Sequence, residues 1–133
     1  MKNLIYFILA ITLLSASCCK KDDNNVTPVT KTPGQLHPEY LGKWYCDSVL
    51  ENGTRVYITG NNYEFQNTSA IETNDNAPID NVYTDWKLSG STLTLYITDA
   101  GEVYSTVLTI VSPPVNNKMV LIVAPYTEYL TKH

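Results

Sequence analysis

Few residues of this chain are equipped for chemistry, and their spacing narrows the field further. The two histidines, His37 and His133, belong to no ligand-spaced cluster, and no Cys-x-x-Cys occurs, so no transition-metal site is expected. Glu72, Asp75, Asp80 and Asp85, with Asn74, Asn76 and Asn81 among them, offer the oxygen ligands that calcium takes. Their spacing matches no calcium loop, and a solvated acidic loop is the preferred reading. Cys46 is the one cysteine beyond residue 19. A thiol becomes a nucleophile only as thiolate, with a base or cation beside it. Cys46 has no histidine within the predicted sheet and shares a face with Trp44, so a buried, inert thiol is expected. Glu51, Glu64, Glu102 and Glu128 are scattered over predicted strands and turns. Any two can approach across a sheet, as a glycosidase pair must, yet nothing marks a pair. Neither a Gly-x-Ser-x-Gly elbow nor a phosphate-cradling glycine loop is present. The chain therefore reads as a protein that is not an enzyme and uses no cofactor.

Tyrosine is the remaining oddity: 10 Tyr against 2 Phe and 2 Trp. Tyr45, Tyr57, Tyr83, Tyr96 and Tyr104 fall opposite the main apolar set or on ambiguous faces. A tyrosine surface can bind sugars or proteins, because each ring joins apolar area to a hydroxyl. The plainer account, which is favoured, is that tyrosine has high β-propensity and lines a half-exposed sheet. With 13 acidic and 9 basic residues the net charge is −4. No basic block is present, so nucleic acid is excluded as a partner, since phosphate neutralisation needs clustered Lys and Arg.

The elements that must hold these residues read as strands. Within 39–133 no window keeps a helical period, and alternation of period two is frequent. In 43–50, Trp44, Cys46, Ser48 and Leu50 share a face. Asn52-Gly53 then marks a tight hairpin, because both central positions need positive φ. Strands are expected at 54–59, around Tyr63 and Phe65, briefly at 69–72, and at 82–88 with Val82, Thr84, Trp86 and Leu88 inward. Others follow at 92–98, 102–111, 118–124 and 126–131, with Ser112-Pro113-Pro114 and Asn116-Asn117 separating two of them. About eight strands joined by short turns form an antiparallel meander, an all-β fold. Such a meander closes into a barrel because closure removes exposed edges; a two-sheet sandwich is the alternative. This stretch has 11 acidic and 5 basic residues, a net charge of −6.

The front of the chain reads differently. Residues 1–17, MKNLIYFILAITLLSAS, carry a basic Lys2, an apolar run and small residues at the end, the layout of a secretory signal. The run is too short for a spanning helix, which needs about 20 residues. Residues 18–38 are polar and proline-rich without a hydrophobic period, the composition of a flexible linker, and His37 is expected to be solvated there. Ser15-Ala16-Ser17-Cys18 resembles the lipobox of bacterial lipoproteins in the looser form of the Bacteroidetes type, with Ser15 where Leu is preferred. That resemblance implies lipidation of Cys18 and a membrane as partner through the acyl anchor. Lys21-Asp22-Asp23 resembles the surface-export signal of the same group, implying an outer-membrane lipoprotein exposed at the cell surface. One acyl chain holds weakly and several hold firmly, at about 0.8 kcal/mol per buried methylene.

Leu41-Gly42-Lys43-Trp44 resembles the Gly-x-Trp signature on the first strand of lipocalins. The stretches 86–95, 119–121 and 126–130 look like the short lipocalin-like domains of bacterial lipoproteins. The resemblance implies a small lipocalin-like barrel binding a small apolar or amphipathic ligand, with Trp44, Tyr63, Phe65 and Trp86 as lining residues or, equally, as plain core. The alternative is an interaction or inhibitor module using Tyr83, Tyr96 and Tyr104 on an outer face. The amino-terminal reading makes its own prediction: Cys18→Ala should move the protein from the membrane fraction to the soluble fraction, and unchanged fractionation would refute lipidation.

Overall fold

The computed structural model describes residues 30–75, 77 and 79–133. The expected signal, Cys18 and the linker up to residue 29 lie outside the described residues, as does Asn76 of the acidic loop.

Period-two alternation becomes ten strands among the described residues: β1 (Gly42–Glu51), β2 (Thr54–Tyr57), β3 (Asn61–Phe65), β4 (Ala70–Asn74), β5 (Asn81–Tyr83), β6 (Asp85–Ser89), β7 (Thr92–Asp99), β8 (Glu102–Val115), β9 (Lys118–Val123) and β10 (Tyr126–Lys132). All pairings are antiparallel, in the order β5-β4-β3-β1-β10-β9-β8-β7-β6, with β2 also on β1. β2 and β3 both pair with β1, so they are one strand interrupted at residues 58–60. β5 pairs with β4, β6 pairs with β7, and between them the Thr84 amide donates to the Tyr96 carbonyl at 2.7 Å. The ten segments are thus an eight-stranded meander nearly closed into a barrel, and the sandwich alternative falls away.

The turns form for local reasons. Asn52 and Gly53 have φ of 49° and 81°, as the hairpin signal required. Asn116 and Asn117, at 51° and 59°, make a second turn of the same kind, in residues that tolerate the left-handed region.

Irregularities correct the sequence-level faces in three places. First, the β1–β10 register shifts between Cys46 and Ser48, so Asp47 is a bulge. An extra residue reverses the alternation beyond it. Trp44 and Cys46 remain inward, whereas Ser48 faces outward beside exposed Tyr57 and is buried only because Arg55 lies over it, Nε to Oγ 2.8 Å. Val49 takes the inward place instead, opposite Glu128. Second, Thr84 breaks the strand expected at 82–88. Tyr83 is buried and Val82 exposed, the reverse of the expected phase, while Trp86 is buried as expected. Third, β8 runs on through Pro113 and Pro114 to Val115 with two register shifts, a route open to prolines only where the ladder is irregular.

The two ends of the barrel differ. The turns at residues 66–69, 90–91 and 116–117 lie at one end, and that end carries a plug. Residues 32–38, expected to be linker, are ordered. Thr32 caps helix α1 (Pro33–Leu36) in a capping box with Gln35, and a 3₁₀ turn follows at Pro38–Tyr40. The Gly34 amide donates to the Asn67 carbonyl at 3.0 Å, and a Cβ on Gly34 would meet the Asn67 Cα at 2.7 Å, so only glycine allows this approach. His37 packs against the rings of Tyr40 and Trp86 rather than standing in solvent. Beneath them Tyr40, Phe65 and Trp86 contact edge to face or tilted, with centroids 5.5–6.4 Å apart. Trp44 Nε1 donates to the Tyr40 carbonyl at 2.7 Å, and Trp86 Nε1 to the Gln66 carbonyl at 2.8 Å, so both indoles are buried with their polar atoms satisfied. Leu93, Leu95, Leu108, Met119, Leu121 and Leu130 complete the core.

Trp44 joins plug to barrel. Trp44→Ala should lower stability by about 3–5 kcal/mol in equilibrium urea unfolding, the usual cost of deleting a large buried aromatic. A loss below about 1 kcal/mol, the scale of a surface change, would contradict the plug.

An acid and tyrosine cluster beneath the barrel mouth

The opposite end carries the turns at residues 52–53, 75–80, 100–101 and 124–125. Here the inward rows reach solvent. Tyr126 and Val123 face each other on β10 and β9, Ile97 and Tyr104 on β7 and β8, and Val49 and Val56 on β1 and β2. Tyr126, Tyr104, Val56 and Thr106 are exposed although they stand in inward rows.

One layer below lie two carboxylates. Glu72, on β4 between Ala70 and Asn74, accepts from the hydroxyl of Tyr83 at 2.7 Å, from Asn81 Nδ2 at 3.0 Å and from the hydroxyl of Tyr63 at 3.3 Å. Glu128 follows from the period of β10: Tyr126, Glu128 and Leu130 point inward together. It is only 5% exposed. Tyr63 stands close enough to Glu128 to favour its charged form, and Thr106 close enough to Tyr83 to do the same there. The cluster therefore centres on Glu72, hydrogen-bonded to Tyr63, Asn81 and Tyr83, with exposed Thr106 beside Tyr83 and buried Glu128 beside Tyr63.

Its electrostatics are one-sided. Burial raises the pKa of Glu128 above the ordinary value, with Glu72 adding to the rise and Tyr63 opposing it. Burial, then Glu128 and Glu72, likewise push the Tyr63 phenol upward, and burial with Glu72 does so for Tyr83. Both tyrosines are thus neutral donors. Glu128 Oε2 is buried without a hydrogen-bond partner. Cys46, on the neighbouring strand, is pushed up to about 12, first by burial and then by the charge of Glu128. It is a free, buried thiol and a poor nucleophile, as its sequence context implied.

The candidate residues therefore redistribute. Trp44, Tyr63, Phe65 and Trp86 are all buried in one core. Of these only Tyr63 joins the polar cluster; the other three belong to the plugged end. Tyr83, expected on an outer face, lies inside because of the break at Thr84. Tyr104 stands in the inward row at the mouth, its hydroxyl on Glu102 at 3.1 Å. Tyr96 stays on the outer face with Lys87 over its ring. The acidic loop gathers no metal site among the described residues. Glu72 turns into the barrel, and Asp85 pairs with Lys87 at 3.9 Å. Sequence reasoning counted Glu128 among scattered acids, although its place between Tyr126 and Leu130 at period two was the signal that it faces inward.

The raised pKa of Glu128 has a definite sign. Between the unfolded and folded values the native state binds more protons than the unfolded chain, so stability falls as pH rises through that window and levels off above it. Glu128→Gln should remove this fall and raise stability near neutral pH by about 1–3 kcal/mol, the cost of a buried unsatisfied polar group. Urea unfolding of both proteins from about pH 4 upward, starting near the unfolded value, checks it; parallel pH profiles would show that Glu128 is not the source.

No protein-family model matches the sequence, and no curated protein matches it either. Among solved structures, an uncharacterized protein from Bacteroides eggerthii is similar, with a TM-score of 0.54 and 12% identity over 71% of this chain and 99% of that chain. A lipocalin-like protein from Bacteroides uniformis aligns with a TM-score of 0.49 and 14% identity, again over 71% of this chain and 99% of that one. At these identities the first likeness is one of fold: both chains share the arrangement of strands described above.

Proposed function

We propose that the chain is a lipocalin-like binding protein that takes a small amphipathic ligand at the open end of its barrel. The observation that carries the reading is the contrast between the ends. One is shut by Trp44, Phe65, Trp86 and Tyr40, while the other leaves Tyr126, Tyr104 and Val56 solvent-exposed in inward rows. Concave, mostly apolar surfaces with a few convergent polar groups are where small molecules bind, and barrel mouths are a common place for them. The site works by burial and orientation, and we assign no reaction to it. The amino-terminal sequence supports a tether through Cys18 at the outer membrane, with the domain displayed on a spacer.

A second reading has its own observation. On the outer face, Val103, Val107 and Val111 of β8 are exposed beside Thr94, Tyr96 and Thr98 of β7. Such an uncharged strip suits a protein partner. Native mass spectrometry of the protein purified from its own host separates the two. A retained molecule of about drug size, lost on denaturation, is the expected result, since such sites enclose roughly 300–1,000 Å³. A co-purified protein with no small molecule would favour the outer face and overturn the mouth as the site.

A further inference from the structure

The polar cluster narrows the class of ligand; this inference rests on the binding reading above. Residues Lys31–His133 carry six lysines and arginines, and each is accounted for away from the cluster. Arg55 lies on the outer face against Ser48, its guanidinium 4.0 Å from the Tyr129 ring centre. Lys132 reaches the Leu41 carbonyl at the plugged end. Lys43 lies over Tyr45 and Lys87 over Tyr96. Lys31 and Lys118 are exposed. Of the histidines, His37 packs in the plug and His133 against Tyr45. Among the described residues, no cation forms an ion pair with Glu72 or Glu128.

The donors also fall short. Tyr63 has one hydroxyl proton, and it goes to Glu72 rather than to the neighbouring Glu128. Tyr83 and Asn81 are committed to Glu72, and Glu128 Oε2 is left with none. A buried carboxylate is tolerated when it is protonated, paired or hydrogen-bonded. Two acids, of which Glu128 Oε2 has no donor, and no cation make a site that lacks a positive charge and a donor at Glu128.

We propose that this cluster recognises an ammonium group, so that the barrel's ligand is an amphipathic cation. Its nitrogen meets Glu128 Oε2, with Glu72 as the second carboxylate. Its apolar body lies against the mouth rows, where Ile97, Val123, Tyr104 and Tyr126 stand. An ammonium supplies both missing features, a charge and three N–H donors, and hydrogen bonds between charged groups are the strong ones. A neutral alcohol supplies one donor and no charge. A fatty carboxylate meets like charge and is disfavoured.

Isothermal titration of the full-length protein near neutral pH with octylammonium, 1-octanol and octanoate tests this. Octylammonium should bind at least about tenfold more tightly than octanol, a difference of about 1.4 kcal/mol, and octanoate more weakly than either. Glu128→Gln should abolish the preference for the ammonium over octanol. Equal affinities for the three, or a preference that survives in Glu128→Gln, would overturn the ammonium site while leaving the binding barrel standing. If none of the three binds, the barrel reading fails and the inference goes with it. The ranking in the unaltered protein decides the matter even where the variant does not fold.

Discussion

Pairing of β1 with β10 is the constraint on which the interior depends. These strands join the two ends of the meander, and their register runs from Trp44 opposite Lys132 to Leu50 opposite Thr127. Without it the sheet keeps two long open edges and an inner face with no opposite wall. With it, side chains distant in sequence become one enclosed set: Trp44 and Cys46 from the start of the fold, Glu128 and Leu130 from its end. The bulge at Asp47 sits inside this pairing and is tied across it, its carboxylate accepting from the Thr131 hydroxyl. That single extra residue selects Val49 rather than Ser48 as the inward neighbour of Glu128. The wall of the candidate site is thus set at the seam that closes the barrel.

The two ends of the enclosed space divide stability from recognition. At the plugged end both indole N–H groups meet backbone carbonyls, and the aromatic rings contact in geometries that add to simple area burial. At the mouth end two acids share too few donors, and one carboxylate oxygen has no partner. An unsatisfied buried group weakens the fold by an amount comparable to a good hydrogen bond. A protein keeps such a group where the rest of the core tolerates it, and such exceptions concentrate where a function uses them. The plug and the leucine layers supply that tolerance here.

The segment before β1 closes one end of the barrel. Residues 32–40 fold onto the barrel's closed end through a capped turn, the Gly34–Asn67 approach and the packing of His37 and Tyr40. The ordered domain therefore starts at its closed end.

Much of the fold was legible because its cause is local. Alternation in 92–98 marked β7, a run apolar on both faces in 118–124 marked β9, Asn52-Gly53 marked a turn through its need for positive φ, and the meander followed from strands separated by tight turns. Trp44, Tyr63, Phe65 and Trp86 were legible as large apolar rings in inward positions. Residues 32–38 were not, because a capping box and one glycine contact with Asn67 order a segment whose composition reads as linker. Nor were the faces of Ser48 and Tyr83, because one bulged residue or one break inverts a period-two pattern from that point on. Glu72 and Glu128 carried no local sign of being partners. They lie on strands that meet Tyr63 from different directions, and only closure of the sheet brings one phenol between them. The sequence by itself marked most of the strands and the burial of Trp44, Phe65 and Trp86, since backbone preference and side-chain polarity act over a few residues. Only the tertiary structure decided which polar groups share the interior, because that depends on register across the seam, and register is a property of pairs of strands rather than of either one.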